Sequence, residues 1–189
     1  RGPAPRPGGP PLAVGPPPPR TDYLSPGAAR SPAVPASSVD AVLSSNVLEH
    51  VSSRALAALH AEARRVLRPG GLAVHRFNPQ DHFSADDRSI TGANFLQFSP
   101  EAWRRLGGDG LAPHNRLRCA QHAALVREAG LEIVVSRTRP DARARQAIES
   151  GELDVHPDFA GFTPAELSDD YMWLAARVAM PAGEPARTS

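Results

Sequence analysis

The clearest pattern of apolar and polar positions in this chain predicts a strand, a helix and a second strand in succession. A short apolar run predicts a strand at about residues 39–44. Apolar residues then recur three and four positions apart between residues 53 and 67, which is the spacing of one buried helix face. The Pro-Gly-Gly at 69–71 ends this helix, and residues 72–74 are expected to form a parallel strand buried on both faces. This order is a βαβ unit, in which ligands gather at the carboxyl ends of the strands.

The stretch at residues 75–115 departs from this regular pattern, because it is long, polar and rich in aromatic residues. A short helix inside it is expected to begin at Ser99 and Pro100 and to carry Trp103. Excursions of this length from the end of a strand are usually lids or binding walls. We therefore expect a lid or binding wall here, with at least half of its aromatic residues packed as core.

The remaining positions predict a second alternation of helix and strand. Asn115 is expected to cap a helix over residues 116–129. Gly130 ends that helix, and a strand follows at residues 131–136. A helix is expected at residues 141–150, and a second one after the capping box that starts at Thr163. The last strand is expected at residues 171–180. The order implies an α/β layer fold with flanking helices.

Proline dominates the start of the chain, where residues 1–36 hold twelve of the 21 prolines. Proline lacks a backbone donor and fixes φ, so this segment fits neither a helix interior nor a central strand. The composition predicts a disordered or polyproline-II tail at residues 1–36 and a single α/β domain at residues 37–180. A second disordered tail is expected at residues 181–189.

Charge and cysteine content exclude several classes of function. The net charge is +1, and the basic residues are scattered arginines, so no contact with nucleic acid is predicted. Cys119 is the only cysteine, which excludes an internal disulfide and a multi-cysteine metal site and favours a cytoplasmic location. No apolar run approaches the roughly 20 residues of a membrane span, so no membrane contact is predicted either.

Two motifs give the chain a family resemblance. The first is D-A-V-L-S-S-N-V-L-E-H at residues 40–50, and the second is the helix end R-R-V-L-R-P-G-G at residues 64–71. Together they resemble the middle of class I S-adenosylmethionine-dependent methyltransferases, in particular a type 11-like domain. The resemblance extends over residues 39–180.

The resemblance implies a partial Rossmann-like methyltransferase sheet, made of strands four to seven of seven, with the last strand antiparallel. In that family a glycine-rich loop and an acidic residue of the first strands hold the cofactor, and no Gly-x-Gly-x-Gly follows a strand here. We therefore expect a fragment, namely the C-terminal half of such a domain from a longer protein. Its first strand would present an exposed apolar edge, open to self-association or to a partner chain.

The cofactor implied by the resemblance is S-adenosylmethionine, and Ser44, Ser45, Asn46 and Val47 would line its methionine end. Polar residues that close a strand explain the same side chains equally well. The implied reaction transfers a methyl group to an O, N or C nucleophile of a small-molecule acceptor. The missing glycine-rich loop argues against activity of this chain alone. The alternative is therefore a non-catalytic, methyltransferase-like module that completes its sheet with a partner chain.

Three residues are candidates for the catalytic role. His50 would be the general base that takes a proton from the acceptor, with Glu49 orienting it. His75 leaves the neighbouring strand at the same edge and is the third candidate. The alternative is that Glu49 and His50 only cap and solvate the start of the helix.

A metal site is a further alternative at the same motif. Asn46, Glu49 and His50 share one helical face, and some related enzymes hold a divalent metal with a Glu-x-x-Glu-His motif here. Asn46 replaces one of those carboxylates, so Asp81 and His82, or His75, would have to complete the ligand set. No metal site is predicted on this pattern.

Overall fold

A computed structural model describes residues 34–106 and 114–180 of the chain. The predicted tail at residues 181–189 and all but the last three residues of the predicted tail at 1–36 lie outside these ranges. The elements are β1 (Val39–Ser45), α1 (Ser53–Val66), β2 (Leu67–Phe77), α2 (Pro100–Leu106), α3 (Cys119–Glu128), β3 (Glu132–Pro140), α4 (Ala142–Ser150), α5 (Pro164–Ser168) and β4 (Asp169–Arg177). Short 3-10 turns lie at Leu48–His50, His82–Ala85, Asn94–Gln97 and Pro157–Phe159.

The strands form one mixed sheet in the order β1-β2-β4-β3. β1 and β2 are parallel, and β4 runs antiparallel to both β2 and β3. This confirms the predicted α/β fold and the expected partial sheet, in which the last strand alone is reversed. The parallel pair forms because α1 returns the chain to the starting edge, as a right-handed βαβ crossover requires.

β2 is longer than the apolar run that predicted it. Val39 pairs with Leu67 and Ala41 with Leu72, so residues 68–71 bulge out of the ladder while the strand continues on both sides of them. Gly70 carries a φ of 75° in this bulge, a conformation that glycine adopts without steric cost. The helix therefore ends before Pro-Gly-Gly, as predicted, but β2 already begins at Leu67, ahead of these three residues.

α3 begins three residues later than predicted, at Cys119 instead of residue 116. The reason lies in the backbone before it, because Arg116 adopts a left-handed φ of 52° and Arg118 is extended. Gln121 accepts a hydrogen bond from the backbone N–H of Arg118, which makes Arg118 the cap. By contrast, Ser52 caps α1 and the capping box of Thr163 forms as predicted.

The helices α1 and α3 cover only one face of the sheet. Burial alternates strictly along the second half of β2, so that Ala73 and Phe77 point into the core while Leu72 and Val74 are exposed. The expectation that residues 72–74 are buried on both faces is therefore wrong for the described residues. One face of the sheet is buried against the helices. The other face carries exposed apolar side chains, and no element among residues 34–106 and 114–180 covers it.

The stretch at residues 75–115 builds a second core. Phe95, Leu96 and Trp103 pack with Phe159 and Leu167 in a cluster separate from the main one. Several aromatic residues of the predicted lid are therefore packed as core, although Phe83 is exposed. Within the described ranges, no helix has both the length and the apolar character that crossing a membrane requires.

Candidate functional site

The carboxyl ends of β1 and β2 lie side by side, as the βαβ pattern predicts. Ser44 pairs with His75 and Ser45 with Arg76, and the Asn46 N–H donates to the Arg76 carbonyl at 2.7 Å. Asn46 has a φ of 52°, a left-handed conformation that asparagine tolerates better than most residues. It turns the chain out of β1 within the exposed segment Ser45–Val47, which we call the crest.

The four residues predicted to line the cofactor divide into two groups. Ser45, Asn46 and Val47 are exposed at the free edge of the sheet. Ser44 is half-buried on the face of the sheet that the helices cover, where its Oγ shares a 2.8 Å hydrogen bond with Nδ1 of His75. Three of the four side chains are thus open to a ligand, whereas the fourth has a partner within the fold.

Hydrogen bonds from Asn115 connect the second half of the chain to the turn after β1. Its Nδ2 donates to the carbonyls of Leu48 and Val51 at 2.6 and 2.7 Å, and its backbone N–H donates to the Glu49 carbonyl at 2.9 Å. Leu48 is anchored in the main core below. The predicted helix cap at Asn115 therefore has a different role, which is to hold His114 against the turn Leu48–His50.

A pocket of about 290 Å³ opens at this junction. Its lining residues are His50, Val51, Ser52, Ser53, His114 and Asn115. Of the three predicted catalytic residues, His50 alone lines this pocket. Ser52 and Ser53, at the start of α1, also line it.

Three histidines meet beside the pocket. The ring centroids of His50, His82 and His114 are 5.2, 4.8 and 4.0 Å apart for the pairs 50–82, 50–114 and 82–114. Burial, followed by the neighbouring His50, lowers the pKa of His82, and burial lowers the pKa of His114 to about 4. Both rings are therefore neutral at pH 7 and can accept a proton or bind a cation.

The other predicted acid–base residues do not line the pocket. His75 is 1% exposed, and burial followed by the charge of His60 lowers its pKa to about 4. Glu49 is 2% exposed, and neither of its carboxylate oxygens has a hydrogen-bond partner among the described residues. His75 lies on the buried face of the sheet, where its Nδ1 pairs with Ser44, and it does not line the pocket.

Asp81 and His82, which the sequence offers as additional metal ligands, take different roles. Both carboxylate oxygens of Asp81 accept hydrogen bonds within the fold, from the N–H of Phe83 and from Nδ2 of Asn94. His82 instead faces His50. His114 was not a candidate at all, since no local pattern indicates that residues 64 positions apart will meet.

Comparison with known proteins gives a family match in the same region. Residues 16–75 match the family model described as a methyltransferase domain, a range that contains β1, α1 and most of β2. No curated protein matches the chain.

Solved structures resemble the chain only distantly. An S-adenosylmethionine-dependent methyltransferase of Methanosarcina mazei has 17% identity over 82% of this chain and 66% of its own, with a TM-score of 0.47. One from Mesorhizobium loti has 17% identity over 76% and 63%, with a TM-score of 0.44. The [4+2]-cyclase SpnF has 18% identity over 82% and 55%, with a TM-score of 0.45.

The chain thus spans between 55% and 66% of the length of these three structures. Likenesses at this level carry no argument about function, so the assignment depends on the family match and on the motifs at residues 40–50 and 64–71. Residues 16–75 match the methyltransferase-domain model, in agreement with the resemblance of the motifs at residues 40–50 and 64–71 to class I S-adenosylmethionine-dependent methyltransferases.

Proposed function

We propose that this chain takes part in S-adenosylmethionine-dependent transfer of a methyl group to an O, N or C nucleophile of a small-molecule acceptor. The observation that carries this proposal is the juxtaposition of an exposed polar crest, Ser45–Val47, with a pocket that starts at His50. The crest suits the methionine end of the cofactor, since two polar side chains and a turned backbone are accessible there. The glycine-rich loop of the family is absent from the sequence, so we assign only this half of the cofactor site to the chain.

The cofactor, when bound, supplies an electrophilic methyl group, and the protein contributes mainly by positioning the acceptor for in-line attack. His50 and His114 line the pocket in which an acceptor would lie. Where the acceptor must lose a proton, His50 is the residue placed to take it, and the other two imidazoles lie close enough to shape its environment. Glu49 and His75 are too buried for direct contact and act only through neighbouring groups.

Titration with S-adenosylhomocysteine tests the proposal. We expect saturable heat on titrating the intact chain by isothermal calorimetry, and we expect Ser45→Arg to abolish it by filling the crest. Ser136→Arg is the matched control, because Ser136 is an equally exposed serine on the opposite edge strand β3. The control variant should bind as the parent chain does.

The result also decides between the two candidate functions. Submicromolar binding by this chain would exclude the non-catalytic alternative. No detectable heat with folded protein would contradict the assignment of the crest and leave the binding module as the better hypothesis. Heat that persists unchanged in Ser45→Arg would place the ligand elsewhere.

The second candidate function, a module that completes its sheet with another chain or a second copy, has its own supporting observation. β1 is an edge strand that pairs only with β2 among residues 34–106 and 114–180, and Leu43 on it is 73% exposed. Leu43 pairs with Val74, which pairs with Ala175 on β4, so an apolar row crosses the uncovered face. Long apolar edges of this kind favour pairing with a further strand.

Association should therefore depend on Leu43. We expect the parent chain to sediment as a dimer or larger species at tens of micromolar, and Leu43→Lys to shift it toward monomer, because a charge at a sheet edge opposes strand addition. Leu106→Lys is the matched control, since Leu106 is also an exposed leucine but lies on α2. A monomeric parent chain with a cooperative, reversible thermal transition would contradict this prediction.

A further inference from the structure

We propose that His50, His82 and His114 bind one divalent transition-metal cation of the zinc class. This site goes beyond the proposed methyl transfer. It shares His50 and His114 with the proposed acceptor pocket, but its test involves neither the cofactor nor an acceptor. It also differs from the set of Asn46, Glu49 and His50 considered from the sequence. Asn46 is exposed at the crest and is not one of the three grouped ligands.

The three imidazoles already have the spacing of a ligand set. One nitrogen of each lies within 4.8 Å of the other two. Nitrogens around tetrahedral zinc are about 3.4 Å apart, as Zn–N bonds of about 2.0–2.1 Å require, so closure needs each ring to shift by about 1 Å or less. All three side chains are partly exposed, which leaves them room for this movement.

Two of the three rings carry a buried nitrogen without a hydrogen-bond partner among the described residues. Nδ1 of His50 and Nε2 of His82 are buried and have no hydrogen-bond partner within the described ranges. An unpaired buried polar atom costs free energy that a bound cation would recover. Nε2 of His82 is therefore available as a ligand atom.

Each ligand is held by a different part of the fold. His50 ends the turn after β1, and His82 begins the turn that Asp81 fixes after β2. His114 is kept in place by Asn115, whose hydrogen bonds to the Leu48 and Val51 carbonyls join the two segments. Because the supports are rigid and come from separate elements, the three rings would form a preorganised site.

The ligand chemistry selects the cation. Imidazole nitrogens suit Zn²⁺, Co²⁺, Ni²⁺ and Cu²⁺, whereas Mg²⁺ and Ca²⁺ require oxygen ligands that this set does not offer. Glu49 lies close enough to His82 to interact with it electrostatically, and its buried carboxylate has no partner among the described residues. Its negative charge would balance the cation without a direct bond. The pocket lined by His50 and His114 leaves a coordination position open to solvent.

Calorimetry with the intact chain, carrying no histidine tag and stripped of metal with a chelator, tests the proposal. We expect ZnCl₂ to bind with a stoichiometry of one, and Co²⁺ to give the visible absorption of a four-coordinate site. His82→Ala and His114→Ala should each weaken binding about 100-fold. His156→Ala is the matched control, because His156 caps the 3-10 turn Pro157–Phe159 and is not one of the grouped ligands, and MgCl₂ should give no heat.

Circular dichroism of each variant separates loss of a ligand from loss of the fold, and His114→Ala is the more secure variant because it removes no core side chain. Absence of Zn²⁺ binding at tens of micromolar by folded parent protein would overturn the proposal. Unchanged affinity in both alanine variants would overturn it as well. A failed S-adenosylhomocysteine titration with successful Zn²⁺ binding would affect only the proposed methyl transfer, so the two proposals fail separately.

Discussion

Acidification from pH 7 to pH 4 is expected to unfold this domain, because three histidines are buried as neutral rings between the sheet and its helices. His60 and His122 are fully buried and His75 is 1% exposed. Burial lowers the pKa of His60 and of His75 to about 4 and that of His122 to about 3, and nearby cationic groups add to the effect at His75 and His122. Neither nitrogen of His60 or of His122 has a partner among the described residues.

The sign of the effect follows from proton binding. In the unfolded chain these rings take up protons below pH 6.5, whereas in the folded protein they stay neutral until about pH 4. The unfolded state therefore binds more protons throughout this window, and the free energy of unfolding falls as the pH falls. One ring with a pKa near 4 removes roughly 3 kcal/mol. Three such rings would approach the whole stability of an ordinary domain, about 5–15 kcal/mol.

Urea unfolding measured by circular dichroism between pH 8 and pH 4, with chelator present, would give this dependence directly. We expect His122→Leu to reduce the slope by about 1.4 kcal/mol per pH unit, the contribution of one proton. The control His156→Gln alters a partly exposed ring and should leave the slope unchanged. A stability that stays constant from pH 7 to pH 4.5 would show that the buried rings do not control acid unfolding.

Replacing Arg118 by methionine is expected to destabilise the domain by about 3 kcal/mol or more. The guanidinium is 1% exposed and donates to the carbonyls of Pro79 and Leu167, which lie on different parts of the chain. It also lies over the ring of Phe95, at 5.2 Å from the centroid. Methionine would fill much of the same space but leave two buried carbonyls without donors.

Burial lowers the pKa of Arg118 to about 10, so the side chain is still cationic at neutral pH and its hydrogen bonds are charge-assisted. Arg118→Lys should lose less stability than Arg118→Met, because an ammonium keeps the charge but cannot span both carbonyls. Arg137→Met on the exposed side of β3 is the control, and its change in urea midpoint should correspond to less than about 0.5 kcal/mol. Equal effects at positions 118 and 137 would exclude the bridging role.

Local sequence patterns were sufficient to predict the order of the main helices and strands. The helix stop at residues 69–71, the cap at Ser52 and the capping box at Thr163 all depend on neighbours within a few positions, so the sequence contains the necessary information. The reversed last strand followed from the family resemblance. The start of α3 was missed because Arg116 adopts a left-handed conformation, which sequence patterns do not associate with arginine.

The candidate site was predictable only in part. Ser45, Asn46 and His50 belong to one continuous motif at the end of a strand, and their position follows from the βαβ unit. His114 joins them through hydrogen bonds from Asn115 to carbonyls more than sixty residues away. The burial of His75 could not be predicted from the sequence either, because tertiary packing decides which face of a strand the helices cover.

The strand order also determines when the protein can fold during its synthesis. β4 lies between β2 and β3 although it is the last strand to leave the ribosome. Until Asp169–Arg177 emerges, β3 has no neighbour among the other strands, and the inner edge of β2 remains unpaired. Because β2 and β3 lack this neighbour until then, the complete sheet can form only after the last of the four strands has been synthesised.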